Sequence, residues 1–404
     1  MTSGGAGSID GRSVRRAVAW LLAPVILIGC ASRPEFALSP ETTATTAGRV
    51  TLFDENENVV IATDDSSAGA GAIDPFADSD GDGRRDYIIL ALSGGGAFGA
   101  YTAGILEGWK DAGRRPRFDV VTGVSTGALA GALAFVGDDY DPVLERVYTE
   151  VDRADLFRIR PLAGAFSSSV ANDKPLKNLI AHIVDDGFVA DIAREHARGR
   201  RFYVATTNLD FGRTIVWNVG EIAASKEPKK VQRIRQILLA SASVPVFFPP
   251  VFIEGDREDN GAMHVDGGVK APILVRTFML EAARKERARR HLDLKVYAVV
   301  NGKIRLTADH GPVDPNLPSI AASSIRSLFD TVTYKTLYQV YVSVRRARGE
   351  FHLTFVPDDT ELSGTAMSFE RADMRKLFNL GHRRGREGSA WQKEPPRLEP
   401  LERI

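Results

Sequence analysis

Residues Tyr87–Gly99 read Y-I-I-L-A-L-S-G-G-G-A-F-G. The first six are apolar without a break, as in a strand covered on both faces. Glycines follow, and the chain continues into a helical stretch, Ala100–Asp111. The same order recurs at Phe118–Gly131, F-D-V-V-T-G-V-S-T-G-A-L-A-G. There a strand, Phe118–Thr122, meets a glycine-flanked turn and then a helix, Ala128–Val136. Further strands are predicted at Phe202–Thr207, Thr214–Asn218 and Leu294–Val300. Further helices are predicted at Leu176–Asp185, Lys230–Ala240, Arg276–Arg290 and Ser319–Arg345. Strands alternating with helices specify an α/β fold with a largely parallel sheet. No internal repeat is visible.

The chain has 404 residues, enough for one large domain or two ordinary ones. Lys plus Arg balance Asp plus Glu at 52 each, so a global attraction to nucleic acid is not expected. Cys30 is the only cysteine. That excludes an internal disulfide framework and a Cys/His zinc cluster, and the reading calls for no metal and no cofactor.

Arg12, Arg15 and Arg16 precede an apolar run from Ala17 to Gly29. This is the layout of an export signal, too short to span a bilayer comfortably. Leu27-Ile28-Gly29-Cys30 resembles the lipobox of bacterial lipoproteins, which implies a signal peptide over 1–29 and a lipidated Cys30. Ala31 and Ser32 lack the aspartate of an inner-membrane retention signal, so the expectation is outer-membrane attachment facing the periplasm. Removing residues 1–29 takes three arginines from the 52 basic side chains and Asp10 from the 52 acidic ones, leaving 49 and 51.

Residues 30–85 are rich in Ser, Thr, Ala, Gly and Asp and read as a tether. A short strand near Val50–Leu52 or Val59–Ala62 is the most order expected there. Within it, Asp78–Asp86 (D-S-D-G-D-G-R-R-D) begins like a calcium loop. Position twelve is Ile89 where a bidentate Glu is needed, so a solvated acidic turn is the better reading. Residues 86–390 form the expected catalytic domain and 391–404 a charged tail, with fraying expected beyond about Glu387. The basic run Arg284–Arg290 reads as a solvated helix face.

Gly94, Gly96 and Gly99 fit a dinucleotide fingerprint, but no acid stands at the end of the second strand to hold a ribose. Asp119 lies at that strand's beginning, and no G-K-[ST] follows the glycines. The other use of Gly94, Gly95 and Gly96 is an oxyanion hole, with backbone N–H groups at a helix N-terminus and no Cβ to block a carbonyl. In G-V-S-T-G, Gly123 and Gly127 flank Ser125 on a turn that would lift it above the C-terminal edge of the sheet. In a parallel sheet both turns open on one crevice.

A serine needs a group to take its proton. His182, His196, His291, His310, His352 and His382 stand without a motif. His264 is set apart by its neighbour, Met263-His-Val-Asp-Gly-Gly-Val269, where Asp266-Gly267-Gly268 is a compact acid turn.

Gly94-Gly95-Gly96-x-x-Gly99, the Ser125 turn and Asp266-Gly267-Gly268 together resemble the patatin-like phospholipase family. So does the text between them, A-S-A-S-V-P-V-F-F-P-P at Ala240–Pro250 and V-D-G-G-V-K-A-P at Val265–Pro272. The similarity covers about Asp86–Val300, more loosely to Pro357. It implies a three-layer α/β/α fold and lipid acyl hydrolysis by a Ser125–Asp266 dyad with no catalytic histidine. His264 is then a neighbour and not a partner.

The family often has a basic residue where this chain has Phe98, and plant members often have Asp in place of Ser93. Loss of that charge leaves room for a less charged ester. Two alternatives stand beside the dyad: a triad completed by His310 or His352, and an inactive lipid-binding scaffold. A lid is expected in Pro161–Lys174 or in Asp256–Met263. Head group, chain length and oligomeric state are not legible.

Overall fold

The computed structural model describes residues 59–62, 85–159, 168–253, 261–290, 292–304 and 312–396. The expected signal, Cys30, most of the tether, the acidic turn at 78–84, and residues 161–167 and 256–260 of the two lid candidates lie outside the described residues.

Strand β1 (Val59–Ala62) comes first, then β2 (Arg85–Leu92), α1 (Gly99–Asp111), β3 (Val120–Gly123) and α2 (Thr126–Val136). Next are α3 (Asp141–Thr149), α4 (Arg153–Leu156), a small pair of β4 (Arg158–Ile159) and β5 (Ala171–Asn172), α5 (Lys174–Ile183) and α6 (Asp186–Ala197). Strands β6 (Arg201–Asn208) and β7 (Arg213–Asn218) form a hairpin, followed by α7 (Val219–Ala224) and α8 (Lys230–Ser241). The chain closes with β8 (Val251–Ile253), β9 (Ala262–Asp266), α9 (Thr277–Arg290), β10 (Leu292–Val300), α10 (Leu317–Arg346), β11 (Glu350–Phe355) and α11 (Arg371–Glu387).

The sheet runs β1-β7-β6-β3-β2-β10-β11, with β9 on β6 and β8 on β9. The four central pairings, β6–β3, β3–β2, β2–β10 and β10–β11, are parallel; β7 and β9 pair antiparallel with β6. Alternation along β2 makes three layers. Ile88, Leu90 and Leu92 join the apolar layer with α1, α2, α6, α8 and α11, while Tyr87, Ile89 and Ala91 join the other with α9 and α10. The architecture is a three-layer α/β/α sandwich with a mostly parallel sheet, as expected.

Polar contacts pin the edge away from the crevice. The Asp119 carboxylate accepts the Ile88 N–H at 2.7 Å, and burial pushes its pKa up to about 8. Lys295 pairs with Asp86 in the interior at 2.8 Å. Asp119 therefore works as a strap between β2 and β3.

The packed chain runs past Glu387. Trp391 meets Trp109 tilted at 4.8 Å and Tyr297 edge-to-face at 4.9 Å, and Gln392 exchanges backbone hydrogen bonds with Leu353. Burial of an indole against two other rings outweighs the charge around it, which is why fraying does not begin at Glu387.

Candidate active site

Strands β2 and β3 end side by side, with Leu92 opposite Gly123. The turn after each delivers its residues to the same edge. Ser125 sits just before α2 with φ 55 and ψ −127, a conformation few non-glycine residues adopt. It is held there from several directions. Its N–H donates to Ser241 Oγ at 2.9 Å, and that hydroxyl donates to the Ala205 carbonyl at 2.8 Å. The Val124 N–H reaches back to the Leu92 carbonyl, and Gly127 N–H to the Val124 carbonyl. A Cβ on Gly123 would lie 2.3 Å from the Gly127 carbonyl oxygen, and one on Gly127 2.4 Å from that of Leu92. Both glycines are therefore required by close backbone approach.

The glycine turn lies beside this elbow. A Cβ on Gly94 would be 3.2 Å from Ser125 Cβ. The Gly94 N–H points at the Pro272 carbonyl, 3.3 Å away. For the Gly95 and Gly96 N–H groups no partner is found among the described residues, and both residues are half-buried, so they can be reached. Gly95 (φ 148) packs against Asn301, and Gly96 (φ 53) against the Ala366 carbonyl, which accepts the Ala97 N–H at 2.8 Å. Asn301 fastens the turn from below: its amide donates to the Ser93 carbonyl at 2.9 Å, and its oxygen accepts from Thr102 at 2.7 Å.

Asp266 ends β9, in register with Thr206 of β6. Its N–H donates to the Ser243 carbonyl, and its carboxylate accepts the Gly268 N–H at 2.7 Å. Ser125 faces the same carboxylate, and its hydroxyl favours the charged form. Both side chains are buried, Ser125 at 6% exposure and Asp266 at 1%. Burial pushes the Asp266 pKa up to about 7, against the opposing pull of the Ser125 hydroxyl and the Gly268 N–H. Gly267 admits no Cβ because the Ala205 carbonyl stands 2.4 Å away, and Gly268 is covered by Phe329 of α10.

His264 turns elsewhere. Its Nδ1 lies 2.9 Å from Thr206 Oγ1, which accepts from Trp217 Nε1 at 2.8 Å. Burial lowers the imidazole pKa to about 3, keeping it neutral. His352 of β11 stacks on Tyr297 of β10, and β10 and β2 separate β11 from β3. His310 lies outside the described residues. Among the described residues no group of three or more His, Cys, Asp or Glu could hold a metal.

Ser241, Ser243, Asn301 and Ala366 were not anticipated as site-building residues. Ser241 and Ser243 stand within A-S-A-S-V-P, a visible signal without a readable role. Asn301 and Ala366 act through long-range packing and carry no local mark.

Residues 90–279 match the family model for patatin-like phospholipase. A segment of 65 residues is 45% identical to the cUMP-AMP-activated phospholipase of Escherichia coli, covering 15% of this chain and 20% of that one. The chain thus spans about one fifth of the length of that relative. Among solved structures, VipD from Legionella pneumophila aligns with a TM-score of 0.37 and 13% identity, covering 75% of this chain and 67% of that one. Human GIVD cytosolic phospholipase A2, in complex with methyl gamma-linolenyl fluorophosphonate, aligns with a TM-score of 0.32 and 13% identity, covering 75% and 58%. Fold and site define an α/β protein with a serine elbow and a buried carboxylate at one sheet edge. Over residues 90–279 the chain is therefore similar to the patatin-like phospholipase family.

Proposed function

We propose that the protein is a serine lipid acyl hydrolase of the phospholipase A or lysophospholipase type, with Ser125 as nucleophile and Asp266 as base. The observation that carries this reading is the buried Asp266 carboxylate facing the Ser125 elbow, its pKa pushed up by burial to about 7. A base tuned to about the working pH combines sufficient deprotonation with useful proton affinity.

In acylation, Ser125 Oγ attacks the ester carbonyl while Asp266 takes its proton. The carbonyl oxygen, now an oxyanion, is received by the Gly95 and Gly96 N–H groups. Gly94 contributes shape, because its own N–H is turned to Pro272. Such donors typically contribute about 3–4 kcal/mol each to acyl transfer. The Asp266 proton passes to the leaving alcohol. Water, activated by the same carboxylate, then releases the fatty acid and restores Ser125. Lipid is the substrate class, and no nucleic-acid partner enters the reading.

We further propose that Cys30 is lipidated and anchors the protein to the outer membrane on the periplasmic side. Among the described residues no helix is long and apolar enough to cross a membrane. Cys30→Ala should move the protein from the membrane fraction to the soluble fraction; continued sedimentation with membranes would contradict the anchor.

Acyl release from phospholipid, lysophospholipid and neutral-ester substrates in the presence of EDTA tests the enzymatic reading. Release that disappears in Ser125→Ala is expected. Vesicle binding by the wild type without release of any acid would favour the scaffold reading.

A further inference from the structure

Four phenylalanines from three distant parts of the chain meet in one cluster. Phe157 follows α4, Phe247 and Phe248 lie between α8 and β8, and Phe369 lies just before α11. The Phe157 ring stands edge-on to Phe247 at 4.7 Å, to Phe248 at 5.5 Å and to Phe369 at 5.9 Å. Phe157 and Phe248 are buried, whereas Phe247 and Phe369 keep part of their surface open.

In sequence, the cluster's segments adjoin residues that touch both halves of the site. Phe247 and Phe248 closely follow Ser243, whose carbonyl receives the Asp266 N–H at 2.9 Å. Phe369 closely follows Ala366 and Met367, which cover the glycine turn at Gly96. Two bulky residues at its margins have left-handed backbone, Val246 (φ 69) and Phe369 (φ 50). Such residues adopt it only where surrounding contacts impose it. For Phe369 those contacts are visible: the Asp373 carboxylate ties down the turn before it, accepting from Ser363 N–H (3.2 Å), Ser363 Oγ (3.0 Å) and Gly364 N–H (2.8 Å). This turn lies beyond the segment that matches the family.

We infer that the Phe157–Phe247–Phe248–Phe369 cluster receives the acyl chain of the ester, and that the turn Ser363–Phe369 sets the preference for chain length. This rests on the hydrolase reading above. Phenyl rings offer no hydrogen bond to a head group but remove methylenes from water, and each methylene buried strengthens binding by about fourfold. Phe98, half-buried on the glycine turn, packs against the same apolar layer.

The test compares kcat/KM for a myristate and a butyrate ester of one alcohol, in the wild type, Phe369→Ala and Phe247→Ala, with folding followed by thermal melting. The wild type should prefer myristate, and either variant should lower the myristate-to-butyrate ratio at least about tenfold. An unchanged ratio, including a parallel loss on both esters, would overturn the inference. Binding of free myristate by calorimetry supplies a second reading that needs no turnover: Phe369→Ala should weaken it at least about tenfold, and equal binding would overturn the inference. A wild type that hydrolyses neither ester counts against the hydrolase reading, while the myristate comparison still decides on the cluster.

Discussion

Ser125 and Asp266 face one another inside a site where Asp266 is almost wholly withdrawn from water, and the serine hydroxyl favours the charged form of the carboxylate. Burial alone would leave the carboxyl protonated and idle. The Ser125 and Gly268 donors pull the other way, and a balance near pH 7 suits the proposed role of Asp266 as base for an alcohol.

Removal of either partner should be severe. Ser125→Ala should lower kcat/KM by at least about 10³-fold, and Asp266→Asn by about 10²–10⁴-fold. Both variants should retain the wild-type circular dichroism spectrum, since neither side chain carries a strand or helix. Acyl release at even a tenth of the wild-type rate in Asp266→Asn would remove Asp266 as the base.

Stability should carry the opposite sign. A carboxyl whose pKa is raised on folding, from 3.8 to about 7, stabilises the fold fully only below pH 4. That contribution is lost as pH rises toward 7, to a limit of about 4 kcal/mol. Asp266→Asn has no charge to bury. Its Tm should therefore exceed that of the wild type at pH 8, with a smaller gap at pH 5. Differential scanning calorimetry at the two pH values measures this, and a gap independent of pH would contradict it.

The histidines should be spectators in catalysis. His264 is held neutral and bonded to Thr206, and His352 stacks on Tyr297 in a distant strand. His264→Gln, His352→Gln and His310→Gln should each keep kcat within about threefold and leave the pH profile unmoved. A thousandfold loss in any of them would revive a triad.

Gly94 and Gly95 at the site, and Gly113 just past α1, should separate by geometry. Gly95→Ala places a methyl 2.1 Å from the Asn301 carbonyl oxygen at φ 148, and should cost about 2–5 kcal/mol of stability. Gly113→Ala, at φ 66 in open space, should cost about 1 kcal/mol. Gly94→Ala is the informative middle case. Its methyl would stand 3.2 Å from Ser125 Cβ, so the protein should fold but lose activity about tenfold or more. Urea titration and kcat measurements on the three proteins test the order.

The central sheet and the three motifs were legible because each is written locally. An unbroken apolar run marks β2, glycine-flanked turns mark the ends of β2 and β3, and Asp-Gly-Gly marks the end of β9. The amphipathic helices α3, α6 and α11 were not anticipated. Their apolar residues are spaced among many charges, and the packing that decides them comes from remote elements. The supports of the site were invisible for the same reason. Ser241 meets Ser125 across 116 positions, and Asn301 meets Ser93 across 208. Nothing in a one-dimensional pattern announces either contact.

The most direct test of the account is the pH dependence of fluorophosphonate labelling at Ser125, read as a second-order rate by mass spectrometry. In the wild type the rate should rise with pH through an inflection near 7, as Asp266 loses its proton. In Asp266→Asn it should be at least about 10²-fold slower and lack that inflection. Labelling of Asp266→Asn at the wild-type rate with the same inflection, or labelling that persists in Ser125→Ala, would contradict the account.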